Sequence, residues 1–173
     1  MSLRTSLIAV VGVCALALAA CDPKPVAETS GPGDDIVQFE QQNTEMNAAI
    51  AQAKASLPVF LARLDANQIQ PTDSLKVGFP AGEGHEHIWV NQIARKGDQL
   101  TGVLANEPNA MPGQHRGSVV VFPIALVSDW SYEKNGKRWG NYTTRVMLPY
   151  IAPEEADAVR ESLSDTPTES NAL

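Results

Sequence analysis

The sequence predicts an α+β domain in which one N-terminal amphipathic helix packs on a curved antiparallel sheet of five or six strands. Three observations predict it. One long stretch early in the chain carries apolar residues at helical spacing. Everything after it up to about residue 148 is short, β-rich and punctuated by turn residues. Strands and helices never alternate in the manner of a parallel sheet, which leaves an antiparallel one with helices on a single face.

The helix is read from "QNTEMNAAIAQAKAS", Gln42 to Ser56, which is dominated by good helix formers. Met46, Ile50, Ala53 and Leu57 fall on one side, so a single apolar stripe faces the core. Thr44 is placed to cap its start. Pro58 has no N–H to donate, so it should kink the helix or begin a second set of turns there. Phe60, Leu61 and Leu64 continue the apolar side to about Asp65.

The strands follow in order: "LKVGF", "HIWVNQI", "LTGVLA", "SVVVFP", "VSDWSYE" and "RWGNYTTRVML". Turn chemistry separates them at "RKGDQ", "PNAMPGQHRG" and "EKNGK". The Asn135-Gly136 pair is the strongest of these signals, because both residues accept the positive φ of a type I′ hairpin. Counting back from that turn sets Trp130 opposite Asn141, with strands expected over Trp130–Glu133 and Arg138–Val146. Pro153 then opens a short acidic helix, "PEEADAVRESL", and residues 164–173 read as a disordered tail. The domain proper is expected over residues 38–151, with 152–173 as an appendage.

The N-terminal end reads differently. "MSLRTS" precedes the short apolar run "LIAVVGVCALALAA", which has the makeup of a secretory signal peptide and falls short of the ~20 residues of a membrane span. The tetrad "LAAC", Leu18 to Cys21, resembles the bacterial lipobox. That resemblance implies cleavage after residue 20 and a lipid on Cys21, which anchors the mature chain to a membrane. Cys14 leaves with the signal, so Cys21 would be the one mature cysteine, and acylation accounts for a thiol with no disulfide partner. Several acyl chains on one residue hold firmly, since each buried CH₂ contributes about 0.8 kcal/mol. Asp22 resembles the inner-membrane retention signal of enterobacterial lipoproteins. Residues 21–37, rich in Pro, Gly and charge, read as a flexible linker that holds the domain off the membrane, facing the periplasm.

The net charge of −7 belongs to the ends. Between Ile36 and Ile151 ten acidic residues face ten basic ones, so no basic stripe supports nucleic-acid binding. No G-x-S-x-G, P-loop, Rossmann glycine pattern or H-E-x-x-H occurs either, and no catalytic cysteine survives processing. No enzyme activity is expected on these grounds.

The sharpest candidate chemistry is "GEGHEHIWV", Gly82 to Val90. On a strand His85, His87 and Trp89 share one face while Glu86, Ile88 and Val90 share the other. Two imidazoles at i, i+2 reach one zinc ion if a third ligand joins them, and His115 or Glu83 would be that ligand. The plainer alternative makes His87 a hydrogen-bonded neighbour of Trp89 and leaves His85 in solvent. Glu107, at the rim after the strand ending near Ala105, would serve as a base or ligand only within reach of His87; otherwise "ANEPNAMPG" is a turn.

The motifs "EHIWV", "LTGVLANEP", "GSVVVFPIALVSDW" and "NGKRWGNYTTRV", in this order and spacing, resemble a bacterial family known as domain of unknown function 2314. The resemblance runs from about Asn47 to Leu148. His87, Trp89, Asn106, Glu107, Asp129, Trp130, Tyr142, Thr143 and Arg145 match its pattern. Asn141 stands where the family usually has a second glycine, and no fixed histidine in the pattern corresponds to His85.

The aromatic residues are too many for one small helix–sheet core. His87, Trp89, Asn106, Glu107, Asp129, Trp130, Tyr142 and Arg145 therefore define a candidate binding face for a peptide, a glycan or a lipid headgroup. A second core layer beneath the Pro108–Gly117 loop would use the same aromatics. The expected function is a binding or accessory module of the cell envelope. Two alternatives stand beside it: a metal-dependent hydrolase-like site at His85, His87 and either Glu107 or His115, and an immunity-type protein that caps a toxin.

Overall fold

The computed structural model describes residues 44–169. The expected signal segment, Cys21 and the expected linker lie outside the described residues. Helix α1 spans Thr44–Asp65 without interruption. Met46, Ala49, Ala53, Leu57, Phe60 and Leu64 are buried at steps of three and four residues, so one stripe faces inward. Ala49 occupies the centre of that stripe and Ile50 its shoulder. Pro58 neither ends nor divides the helix. It sits on the exposed side, where the Lys54 carbonyl left without its helical donor can bond to water.

Six strands form one antiparallel sheet: β1 (Ser74–Ala81), β2 (Gly84–Lys96), β3 (Gln99–Leu104), β4 (Val119–Pro123), β5 (Val127–Lys134) and β6 (Lys137–Gly140). Their order is β4-β3-β2-β1-β5-β6. Alternate residues of every strand face the helix, as the pleat requires. Leu75 and Val77, Ile88 and Val90, Leu100 and Leu104, Val120 and Phe122 supply the core from β1 to β4. On β5 Trp130 and Tyr132 supply it, their rings stacked at 5.4 Å between centroids. The Trp130 indole N–H donates to the Ala53 carbonyl and the Ser56 hydroxyl, each at 3.1 Å, which fixes α1 along β5.

The hairpin between β5 and β6 forms at Asn135-Gly136, with φ of 57° and 71°, and the Asn141 N–H donates to the Trp130 carbonyl at 2.8 Å. Register and turn are those the sequence dictates. The expected strand to Val146, however, stops at Gly140. Asn141 turns left-handed at φ 55°, and Tyr142–Met147 form a short helix, α2. The β-branched run "YTTRV" favours a strand by propensity, but a carboxylate from β5 takes the amides at its start and stabilises the helical turn instead.

Past the turn at Leu148–Tyr150, helix α3 covers Pro153–Ser162. The segment expected to be disordered is ordered as far as Glu169. Ser164 N–H donates to the Arg138 carbonyl at 3.0 Å, Gly140 N–H donates to the Pro167 carbonyl at 2.8 Å, and Lys134 pairs with Glu169 at 2.6 Å. This strap runs along β6 and covers an edge that would otherwise stand open. Among the described residues no helix is long and apolar enough to cross a membrane.

Candidate functional site

The face of the sheet turned away from α1 carries the polar residues. Cross-strand partners share a face, and one row reads Val103, Asn91, Ser74, Ser131 from β3 to β5. The next row sets Trp89 beside Lys76 and Lys76 beside Asp129. Over these rows lies a cleft of about 380 Å³ with Ser74, Trp89 and Asn91 on its floor. Asn106, after β3, lines it on one side; Arg138 and Asn141, at the β6 end of the sheet, and Ser162 of α3 line it on the other.

Two features of the lining bear on ligands. The Asn141 side-chain amide donates to the Ser131 hydroxyl at 2.9 Å and to the Trp139 carbonyl at 3.1 Å, so that wall is held in place. By contrast, Oδ1 of Asn91 is buried with no hydrogen-bond partner among the described residues. An acceptor removed from water without a donor costs about 1–3 kcal/mol.

Beyond the cleft the same face continues as a hydrogen-bonded network. His87 is half-buried, with its ring over Gly78, where an added Cβ would come within 3.0 Å of it. Nδ1 of His87 lies 2.8 Å from the Ser128 hydroxyl, which donates to the Lys76 carbonyl. Burial first, and then the charges of Lys76 and His85, lower the His87 pKa from 6.5 to about 4, so the ring is neutral at ordinary pH. Lys76 is buried, and its amine lies 3.4 Å from the Thr143 hydroxyl.

Asp129 is fully buried. It accepts the N–H groups of Trp130, Tyr142 and Thr143 and the Thr143 hydroxyl. Burial pushes its carboxyl up from the ordinary carboxylate range, against the pull of the Thr143 and Trp130 donors and of Lys76. Its position between four donors makes it the cap of α2, a role in shape rather than in recognition.

Several residues of the candidate face prove to be elsewhere. Trp130 and Tyr142 point into the core, edge to face at 5.8 Å, because Trp130 shares the parity of Tyr132 on the helix side of β5. Arg145 makes no salt bridge with Asp129 among the described residues. Its guanidinium donates to the Gly140 carbonyl at 3.2 Å and to Ser164, at 2.9 Å to the carbonyl and 3.1 Å to the hydroxyl. Burial lowers its pKa, opposed first by the charge of Asp129. It ties the strap to β6. Glu107 accepts the Arg116 N–H at 2.9 Å and closes its own loop. Trp89 and Asn106 do line the cleft, and His87 precedes Trp89 along β2 on the same face.

The three histidines do not converge. His85 is exposed, and His115 bonds within its loop, Nδ1 lying 3.2 Å from the Ser118 hydroxyl. Among the described residues no three His, Cys, Asp or Glu side chains gather as a metal ion would need.

Asn91, Ser74, Ser131, Arg138 and Asn141 are among the cleft residues that the sequence reading passes over. Asn91 was within reach of it, since it shares the parity of Trp89 on β2. Glu86 is another. It is buried on the core face, and its carboxylate accepts the N–H groups of Asn109 at 2.6 Å and Ala110 at 2.7 Å. An acidic residue in phase with Ile88 and Val90 was the signal that would have found it.

Comparisons with known proteins agree with this fold's extent. A protein of Neisseria meningitidis serogroup B (strain ATCC BAA-335 / MC58), named for ankyrin repeats, is 29% identical over 133 residues, 71% of this chain and 53% of that protein. The chain therefore spans about half the length of this relative. The uncharacterized protein YegJ of Escherichia coli (strain K12) is 25% identical over 130 residues, 75% of this chain and 84% of that protein. No solved structure matches. The model of the family described as an uncharacterized protein conserved in bacteria, DUF2314, matches residues 43–164, from α1 into the strap; the chain belongs to that family.

Proposed function

We propose that this chain is a lipid-anchored protein of the bacterial envelope whose domain serves as a binding module, with the cleft over Trp89 and Asn91 as its ligand site. The observation that carries the binding reading is the cleft of about 380 Å³ in which the half-buried Trp89 ring lies among amide and hydroxyl side chains. An aromatic face among polar side chains is a common arrangement for ligands with an apolar side and a polar rim. The anchor is supported by the sequence: "LAAC" after a signal-like apolar run, then a Pro- and Gly-rich linker ahead of the domain.

Both halves can be tested on the whole chain. Expressed in a bacterial host, the protein should take up radiolabelled palmitate and fractionate with membranes, and Cys21→Ala should abolish both; an unlabelled wild type would remove the anchor from this reading. For the cleft, ligand-detected NMR against a panel of envelope glycans, short peptides and lipid headgroups should return binders whose signals vanish in Ser74→Phe, a ring placed on the cleft floor. Signals equal in both proteins would overturn the site.

A further inference from the structure

The lining of the cleft narrows the chemistry of what it takes, on the reading that the cleft is a ligand site. Among the described residues that line the cleft one side chain is ionisable, Arg138, and none is a carboxylate. The Arg138 side chain is exposed and forms no ion pair among the described residues. Its backbone is pinned, because Ser164 donates both its N–H, at 3.0 Å, and its hydroxyl, at 3.1 Å, to the Arg138 carbonyl. The guanidinium lines the rim from a pinned backbone position, and its planar fork matches a carboxylate.

The remainder of the lining is mostly short hydroxyl and amide side chains, such as Ser74, Asn106 and Thr144, around the one aromatic ring of Trp89. No deep apolar pocket offers itself to the side chains of a peptide. A sugar ring fits this pattern better, with a C–H face for the indole and a rim of hydroxyls for the amides. The volume, about 380 Å³, lies at the small end of ligand cavities, which begin near ~300 Å³, and suits one ring with its substituents.

We infer that the cleft binds a saccharide bearing a carboxylate: the ring lies on Trp89, its hydroxyl and acetamido groups meet the amide and hydroxyl side chains of the lining, and the carboxylate meets Arg138.

N-Acetylmuramic acid and N-acetylglucosamine make a matched pair of probes, sharing ring and acetamido group and differing by a carboxylate-bearing ether. N-Acetylalanine supplies a carboxylate without the ring. Calorimetric titration of the full lipidated chain in detergent should show the acidic sugar binding about tenfold more tightly than the neutral one, the scale of one charge-assisted contact at an exposed rim. Arg138→Gln should erase that preference, while Trp89→Ala should weaken both sugars. Equal affinity for the two sugars, or N-acetylalanine binding as well as the acidic sugar, overturns the ligand class. If neither sugar binds but another member of the NMR panel does so in a Ser74→Phe-sensitive manner, the class fails and the cleft stands. If nothing binds sensitively to Ser74→Phe, both fail.

Discussion

The carboxylate of Asp129 accepts both the backbone N–H and the hydroxyl of Thr143, at 2.8 Å and 2.7 Å, in a place where neither residue touches solvent. This pair decides where β6 ends. A carboxylate at the first turn of a helix satisfies amides that have no helical partner and meets the positive end of the dipole. Removing it would leave buried donors with nothing to accept them. Asp129→Ala should cost about 3–4 kcal/mol and Asp129→Asn about 2 kcal/mol. Urea unfolding of both variants measures this, and an Asn variant as stable as the wild type would show that the charge adds nothing to the cap.

Glu86 does the equivalent for the long connection between β3 and β4. Its two oxygens hold the N–H groups of Asn109 and Ala110, and Arg116 lies exposed further along the same loop. Glu86→Ala should destabilise the fold by about 2–3 kcal/mol and free the loop, so that trypsin cuts after Arg116 faster than in the wild type. Glu86→Gln keeps one acceptor and should fall between. Unchanged cleavage in Glu86→Ala would mean that the loop is held by its own turns, including the Glu107 to Arg116 bond.

Both relationships bear on how much of this protein could be read from its sequence. Local signals were legible: the stripe from Met46 to Leu64, the Asn135-Gly136 turn, and the parity that puts His87 with Trp89. What escaped depends on contacts distant in the chain. Nothing within "GNYTTRV" says that Asp129, from a neighbouring strand, will cap a helix there. Nor does spacing alone say which face of β5 turns to α1, so Trp130 and Tyr142 read equally well as surface or core. The strap after α3 is polar and carries Pro167, and composition suggests disorder; its order comes from the carbonyl of Arg138 and the N–H of Gly140 on a strand edge. The cleft itself joins β1, β2, β5, β6 and α3, which no motif spans.

Two glycines in the same hairpin separate backbone strain from crowding. Gly136 and Gly140 have nearly equal φ, 71° and 77°. A Cβ on Gly136 would meet nothing within 4 Å, but one on Gly140 would fall 2.1 Å from the Trp130 carbonyl oxygen and 2.4 Å from its ring. Gly136→Ala should therefore cost about 1 kcal/mol, the left-handed penalty alone. Gly140→Ala should exceed about 3 kcal/mol, because the Trp130 backbone is held by β1 and cannot retreat. Thermal melts of the two variants compare them directly; equal shifts would mean that β6 slides away from β5 at little cost.

His87 makes stability depend on pH in a direction that can be worked out. Its pKa is 6.5 in the open chain and about 4 in the fold, so between those values the unfolded chain binds the extra proton. Stability from this group is fully present above pH ~6.5 and is lost as the pH falls toward 4. A full shift of this size at about 1.4 kcal/mol per unit sets an upper bound, and solvent screening of a half-buried ring reduces it to roughly 2 kcal/mol. Asp129 works the other way, since a carboxyl raised by burial loses stability as pH rises through its folded pKa. The two are separated by the difference between wild type and His87→Gln, measured by urea unfolding at pH 7.5 and pH 4.5. Glutamine can keep a hydrogen bond to Ser128 without titrating, so the wild type should lose about 2 kcal/mol more than the variant across that interval. An equal loss in both would place the acid sensitivity on other groups and leave His87 free to hold its charge within the fold.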